Sequence, residues 1–456
     1  NADKLAATGS VTIDSGASVN VTAENGTDDG STYAASTTYT IVTAGSGVTG
    51  TFGSVSEDFA FLDAELGYDT NSVTLTLTRN ATGLASAART TNQRAVAGGV
   101  SSLSAGSSVY DAVIVLDETG AREAFDSLSG EIHASANTLM IGQSRHGRDA
   151  VGERIRSAFD GLGAADQPMI AFNGDGEAPD TAEGIVAWGR AYGGWSESRG
   201  DGNAATIEQT GGGFFLGLDA DLFGGWRTGV MAGYGATNFD VTARRSSGST
   251  DSYTLGTYAG NRFGPLGLHF GASYTSHDLA TTRSVTIGAL SETLKADYRA
   301  ATSQIFGEVG YRLETKLAQL EPFAAAALIH QRSDGFTETG GAAALGADAT
   351  SQTLGVTTLG LRAERQFAVG AFRASLTGAL GWRHAIGDPD AATTMRLGTG
   401  DGFTVTSVPL ERDSALIEAG LRFTLGEGVT VASSYRSELG ASTGDHGFNA
   451  RLSARF

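Results

Sequence analysis

From Gly184 to the end of the chain, apolar and polar residues alternate one by one over segment after segment. Phe214, Leu216, Leu218, Ala220 and Leu222 share one face of an extended chain, with Phe215, Gly217, Asp219 and Asp221 on the other. The same period sets Ile305, Val309, Tyr311 and Leu313 against Gln304, Phe306, Glu308 and Arg312. It sets Leu359, Leu361 and Ala363 against Gly360, Arg362 and Glu364, and it places Glu418 and Arg422 on a polar face further on. The last segment puts Phe448, Ala450, Leu452, Ala454 and Phe456 opposite Asn449, Arg451, Ser453 and Arg455. Successive side chains of a strand point to opposite faces, so each segment reads as a β-strand with one apolar and one polar side. About a dozen such segments can be drawn, each near the 9–11 residues of a tilted membrane-spanning strand. Long polar stretches (196–209, 240–252, 333–351, 387–402) alternate with tight connections (223–227, 264–265, 425–429), as loops outside and turns inside a barrel would.

The pattern changes upstream. In residues 1–80, short alternating runs such as Val11–Asp14 and Val19–Thr22 are separated by Gly, Ser and Asn, with further strands at 38–43 and 72–78. Short strands with polar turns suit a β-solenoid whose edge needs a cap, although no repeat length can be fixed. Across 81–165 alternation stops and apolar residues recur at helical spacing: Val109, Ala112, Val113 and Leu116, then Ala124, Phe125 and Leu128. From Ser129 to Phe159 there is no proline, which predicts a helix of about 25–30 residues, roughly 40 Å long and able to traverse a bilayer inside a pore. Arg145, Arg148, Arg154 and Arg156 crowd one stretch of it. Residues 160–182 read as a linker. Three units result: 1–80, 81–182 and 183–456.

Composition sharpens this. Proline is rare (6) and glycine common (65), without a Gly-X-Y period, and the ordinary 40% hydrophobic fraction argues against disorder. There is no cysteine, which removes disulfides and thiolate metal sites. The net charge of −19 argues against a nucleic-acid partner, since phosphate contacts need clustered Lys and Arg. No apolar run approaches the roughly 18 residues of a transmembrane helix. Asn1 does not open a signal peptide, so the sequence reads as a mature product or a fragment. A membrane protein without apolar 20-mers must be a closed barrel, because only that form otherwise satisfies every backbone group in lipid. A soluble sandwich would also alternate; charge opposite the apolar face in so many strands fits a wet lumen better.

The motifs Gly381-Trp-Arg-His-Ala, Val408-Pro-Leu-Glu-Arg-Asp-Ser-Ala and Asp445-His-Gly-Phe-Asn-Ala-Arg-Leu-Ser-Ala-Arg-Phe456 then resemble the translocator barrel of monomeric (type Va) autotransporters. Phe214-Phe-Leu-Gly-Leu-Asp219 and Glu308-Val-Gly-Tyr311 match it too, and Leu128-Ser-Gly-Glu131 is similar to the segment leading into its pore helix. Upstream, Tyr39-Thr-Ile-Val-Thr, Gly50-Thr-Phe52, Phe61-Leu62 and 73–79 resemble the last rungs of a β-helical passenger and an autochaperone-like cap. The resemblance covers the chain from about residue 8 onward and rests on the order of the motifs more than on any one. It implies a mainly β fold: a twelve-stranded antiparallel transmembrane barrel around an α-helix, preceded by a short β-solenoid. It implies type V secretion, with the barrel in the outer membrane of a Gram-negative bacterium exporting and anchoring its own passenger at the cell surface. It further implies a monomer reached through the periplasm, with chaperones there, outer-membrane lipid and the barrel-assembly machinery as partners and Phe456 as the assembly signal. The arginines of the helix would find partners in Asp219, Asp221, Glu308, Glu364 and Glu418. Trp188, Trp195, Trp226 and Trp382 would suit interfacial belts.

Other chemistry is poorly supported. Gly45-Ser-Gly-Val-Thr-Gly50 follows a strand, but Thr51-Phe-Gly-Ser follows it in place of a helix, so it reads as a turn and not a dinucleotide site. Ser144 and His146 are not in a nucleophile elbow. The seven histidines, with His269 and His277 on one strand face, lack metal-ligand spacing. No catalytic residue, metal or cofactor is expected. Arg199-Gly-Asp201 lies on the expected first outer loop, where an adhesion motif competes with the polar Gly/Asp loop the family carries there anyway. Asn137 is followed by Thr138, so the paired asparagines by which some members of the family cut their passenger free are missing. Two rival readings are a surface adhesin acting through loops or residues 1–80, and an outer-membrane barrel enzyme with an Asp/His rim.

Overall fold

The alternating segments pair edge to edge until the wall closes on itself. The computed structural model describes residues 3–22, 36–159, 161–162, 169–172, 184–369, 372–425 and 429–454; Phe456 lies outside them. Twelve strands make the barrel: β1 (Ile185–Ser198), β2 (Ile207–Phe223), β3 (Trp226–Val241), β4 (Ser246–Phe263), β5 (Leu266–Ile287), β6 (Leu290–Tyr311), β7 (Gln319–Ser333), β8 (Thr350–Val369), β9 (Phe372–Gly387), β10 (Asp413–Leu425), β11 (Val429–Leu439) and β12 (Thr443–Ala454). Each is antiparallel to the next, and β12 returns to β1, with Gly447 beside Gly194 and Thr443 beside Ser198. Closure pairs the backbone groups that lipid could not satisfy. Leu216, Leu218, Ile305, Leu359 and Leu380 stand exposed on the outside, whereas Phe215, Asp219, Gln304, Phe306 and Arg362 are buried within. Apolar outside and polar or aromatic inside is the inversion expected of a barrel in a bilayer.

Glycine lets the inner face pack. A Cβ at Gly217 would stand 2.4 Å from the Trp188 ring, and one at Gly233 would stand 2.4 Å from the Phe215 ring. Bulky lumen side chains thus lie flat over bare backbone of the neighbouring strand.

One end of the barrel turns tightly, at Gly224–Gly225 and Gly264–Pro265. The other end departs from the expected long loops. Residues 240–252, read as a loop, are almost entirely strand, with β3 and β4 joined by one short turn. The stretches 333–351 and 387–402 are also structured in part: Phe336–Thr337, Leu345–Ala347, Ala392–Leu397 and Phe403–Thr406 pair into a four-stranded outer sheet. Strands β5 and β6, of 22 residues each, outrun what a bilayer needs. Beyond the lipid the outward face meets water, so the apolar half of the alternation disappears while backbone pairing continues.

Among the described residues, five α-helices precede the barrel: α1 (Thr91–Ser101), α2 (Ser108–Ile114), α3 (Glu118–Leu128), α4 (Glu131–Gln143) and α5 (Arg145–Ala158). The single helix expected from Ser129 is present over 131–158, 28 residues long, with one irregular residue, Ser144, between α4 and α5. The Ser144 backbone stays near-helical (φ −54, ψ −23), its amide bonds the Met140 carbonyl at 3.2 Å, and its hydroxyl donates back to the Ile141 carbonyl at 2.6 Å. Ser129 does not start α4; it caps the end of α3. Gly130 opens α4 at φ 61, where a Cβ would fall 2.4 Å from Leu345.

Among the described residues before 81, short strands pair in parallel across successive turns of the chain. Leu5–Ala7 runs parallel to Val42–Ala44 and Val11–Thr12 to Val48–Thr49, the paired residues (Leu5 with Val42, Val11 with Val48) keeping one offset. An antiparallel pair, Leu62–Asp69 and Ser72–Arg79, closes this stretch against Ser36–Ala44. The linker reading of 160–182 is corrected at Met169–Phe172, which pairs antiparallel with β1 at Ile185–Trp188. Most of the rest of that stretch lies outside the described residues.

Candidate functional site

Inside the barrel, α5 rests on the wall made by β1 to β6. Ala150, Val151 and Ile155 meet Trp188, Phe215, Met231, Tyr258 and Phe306 in one buried cluster. Polar groups sit at its centre. Arg154 donates through Nε and Nη2 to the two Asp219 oxygens at 2.6 and 2.7 Å, and both side chains are wholly buried. Arg227 from β3 donates to the same carboxylate, and the Tyr258 hydroxyl adds a bond of 2.7 Å. Trp188 Nε1 then donates to the Tyr258 oxygen at 2.6 Å. A buried bidentate pair with its remaining lone pairs filled fixes both the height and the rotation of the helix.

Of the other arginines of the helix, Arg145 and Arg148 find partners the sequence did not suggest, whereas Arg156 lies near Glu308, one that it did. Arg145 donates to Asp445 at 2.5 Å and Arg148 to the amide oxygen of Gln304. Arg156 approaches Glu308 at 3.6 Å, while Glu308 itself receives both terminal nitrogens of Arg362 at 2.8 Å. Glu418 faces Arg436 at 3.5 Å, and Arg436 also pairs with Asp149 of α5. Glu364 accepts from the Ser375 hydroxyl, and Asp221 accepts from Gly225 at the tight turn, exposed near the barrel's end. Arg422 lines the cavity described next.

Toward β8–β12 the helix does not fill the lumen. A cavity of about 290 Å³ remains there, lined by Arg145, Asp149, Arg190, Glu418 and Arg436 among others. The sequence reading overlooked Arg190, which pairs with Glu153 of α5 at 2.7 and 2.9 Å, and Arg383, which pairs with Glu438. Their inward parity on alternating strands was the available signal.

At the outer mouth α4 is buried on all sides. Glu131 accepts from the Ala205 amide and from Arg244 Nε at 3.0 Å. His133 donates through Nε2 to Glu338 at 2.9 Å and takes a bond from the Tyr298 hydroxyl at Nδ1, 3.1 Å. Glu338 also binds Arg283 with both oxygens, at 3.0 and 2.7 Å, and Arg283 reaches the Ser127 carbonyl at the end of α3. Burial opposes the charge on Glu338, but Arg283 and the bond from His133 outweigh it and hold the carboxyl down to about 2. Burial also lowers His133, against the pull of Glu338. One outer loop is thereby tied to both the pore helix and β5.

Several other expectations shift. Trp188 is buried in the lumen and does not join an interfacial belt, whereas Trp195 and Trp382 are exposed outside and Trp226 packs edge-on against Phe263 and tilted against Phe270. His277 is held between Ser252 and Thr302, and His269 is buried near Glu308. Among the described residues no group of His, Asp and Glu is placed to hold a metal ion. Asn137 is buried, bonded to Gln331 and Thr393. In Arg199-Gly200-Asp201, the Asp201 carboxylate accepts from the Asn203 and Ala204 amides of its own loop, and exposed Arg199 pairs with Glu197.

Known proteins match this arrangement. The family described as "Autotransporter beta-domain" matches residues 187–436. Two curated relatives from Serratia marcescens, each named "Extracellular serine protease", are 34% identical over 463 residues, covering 92% of this chain and 43% of the relative. The chain thus spans less than half the length of those relatives. Among solved structures, the translocator domain of the autotransporter NalP from Neisseria meningitidis superposes with a TM-score of 0.50. It covers 70% of this chain and 100% of that domain at 16% identity, a likeness of fold alone.

Proposed function

Since the chain belongs to the autotransporter family, we propose that α4 and α5 are the tail of an exported passenger, held in the lumen as its anchor by Asp219 and Arg154. The barrel is an outer-membrane translocator that exports its passenger to the cell surface. The observation that carries the anchor reading is the buried Arg154–Asp219 pair, a charge that is stable only when helix and wall meet at one register. In this reading residues 3–80 stand outside as the capped end of a solenoid, and 81–160 join them to the lumen. Folding of the solenoid outside is the source of directional pull, a reading that fits the cap-like residues 38–79. Assembly proceeds with periplasmic chaperones and the barrel-assembly machinery, which reads Phe456. We assign no chemical step to the barrel or the junction. By likeness to the curated relatives named extracellular serine proteases, we propose a protease as the passenger.

Two measurements test this. Removal of 36–79 should leave the barrel inserted, with its heat-dependent gel shift intact, while surface display falls; unchanged display would sink the folding-driven part. Loss of Phe456 should lower the yield of heat-shifting barrel in the outer-membrane fraction, and an unaltered yield would remove the assembly role.

A further inference from the structure

The solenoid end, the helical junction and the outer loops share one buried core. Phe61, Leu62 and Leu84, with Val96 and Val100 of α1, are packed in the same cluster as Phe125 and Leu128 of α3 and Leu397, Phe403 and Val405 of the outer sheet. The polar contacts across it are specific. Asn92 of α1 acts as a strand partner for Thr406, its amide nitrogen donating to the Thr406 carbonyl at 2.8 Å and its oxygen accepting from the Thr406 amide at 3.0 Å. The Asn92 backbone donates to Asn203 of the first outer loop at 2.8 Å. Gln93 donates to Asp126, Arg122 to the Ala87 carbonyl, and the Ala60 amide to the Leu116 carbonyl. Gly99 supplies the seat for Phe403, since a Cβ there would stand 2.4 Å from the ring.

The covalent link through this core is slight by comparison. Between α1 and α2 the chain passes along Ser102–Ser107, with Ser104, Ala105 and Gly106 exposed and Gly106 at φ 95. Exposed loop tips of small residues are where proteases cut. Everything before this connection is held to everything after it by the core and the bonds just named.

We propose that the barrel's outer sheet and the junction helices hold the passenger end by this interface independently of the peptide chain. A cut in the Ser102–Ser107 connection then leaves the upstream part bound to the cell and not shed. The inference rests on the outward placement of residues 3–128 in the export reading above.

The test uses the full chain displayed on intact cells, with an epitope tag ahead of residue 3 and the recognition sequence of a site-specific protease inserted between Ala105 and Gly106. After protease is added, a denaturing gel shows the cut, and the tag is measured in washed cells and in medium. The expected result is at least about tenfold more tag with the cells than in the medium, with release on adding a denaturant. Tag appearing in the medium as the chain is cut, without denaturant, would overturn the proposal. The unaltered chain, nicked at the same connection by a broad-specificity protease and mapped by fragment mass, should give the same partition. Asn92→Ala combined with Phe403→Ala should move the tag of the cut chain into the medium while the uncut chain keeps it; retention despite both changes would overturn the assignment to this interface. A tag hidden from antibody before any cut would overturn the export reading, and this inference with it.

Discussion

At the scale of single residues, the decisive group is Asp219. Two guanidinium groups and a phenol converge on one buried carboxylate, and each has given up water to do so. Removing the carboxylate takes from Arg154 and Arg227 the counter-charge they share. Asp219→Asn should lower stability by about 3–5 kcal/mol. Denaturant unfolding of the refolded barrel in detergent would read this; a variant as stable as the parent would show that the pair does not hold the helix. The outer mouth makes a second residue-scale prediction. His133 and Glu338 are both held below their ordinary values, 6.5 and 4.5, so the unfolded state binds more protons than the folded state as pH falls. The stabilisation is complete above 6.5; the His133 share is lost below that value, and the Glu338 share between 4.5 and about 2. Amide exchange in 334–349, corrected for its intrinsic pH dependence, should quicken between about pH 7 and 5, and His133→Phe should abolish that acid dependence. Equal protection across the range would contradict the account.

At the scale of elements, the barrel was more legible than the parts that fill and cover it. Alternation marks a strand whose two faces meet different media, and lipid against lumen gives the sharpest contrast available. That is why the outward positions of β2, β6 and β8 could be read directly. Where both faces of a strand meet water or protein, as in β3–β4 near Val241 and in Ala392–Leu397, the contrast is gone and the sequence reads as loop. The solenoid offset was hidden for a related reason, since its parallel partners lie far apart in the chain. Trp188 was misplaced although it shares strand parity with the inward Arg190, a signal that a preference for tryptophan at interfaces overrode. The irregularity at Ser144 left no trace in the apolar spacing, because the backbone there stays near-helical. The aromatic side chains lying over bare glycine make a prediction at this scale. Gly233→Val would force the Phe215 ring out of its place and should cost about 1–3 kcal/mol. A heat-shift gel over a temperature series would show barrel melting earlier, and an unchanged melting point would mean that the inner face repacks freely.

At the scale of the whole molecule, three layers are threaded by one segment: solenoid end, outer cap and lumen. The charged lumen grips α5, the outer loops grip α4, and a shared apolar core joins α1–α3 to the solenoid. In the export reading proposed above, residues 3–128 lie outside the cell and the tight turns such as 315–318 lie in the periplasm. The chain has no cysteine, so one introduced thiol reports its own side of the membrane without background. The most direct measurement is labelling of Ser104→Cys and Leu317→Cys, each in otherwise unaltered protein on intact cells, with a membrane-impermeant maleimide. The account predicts that Cys at 104 is labelled at once and that Cys at 317 is labelled only after the outer membrane is permeabilised. Labelling of position 317 but not 104 on intact cells would contradict it.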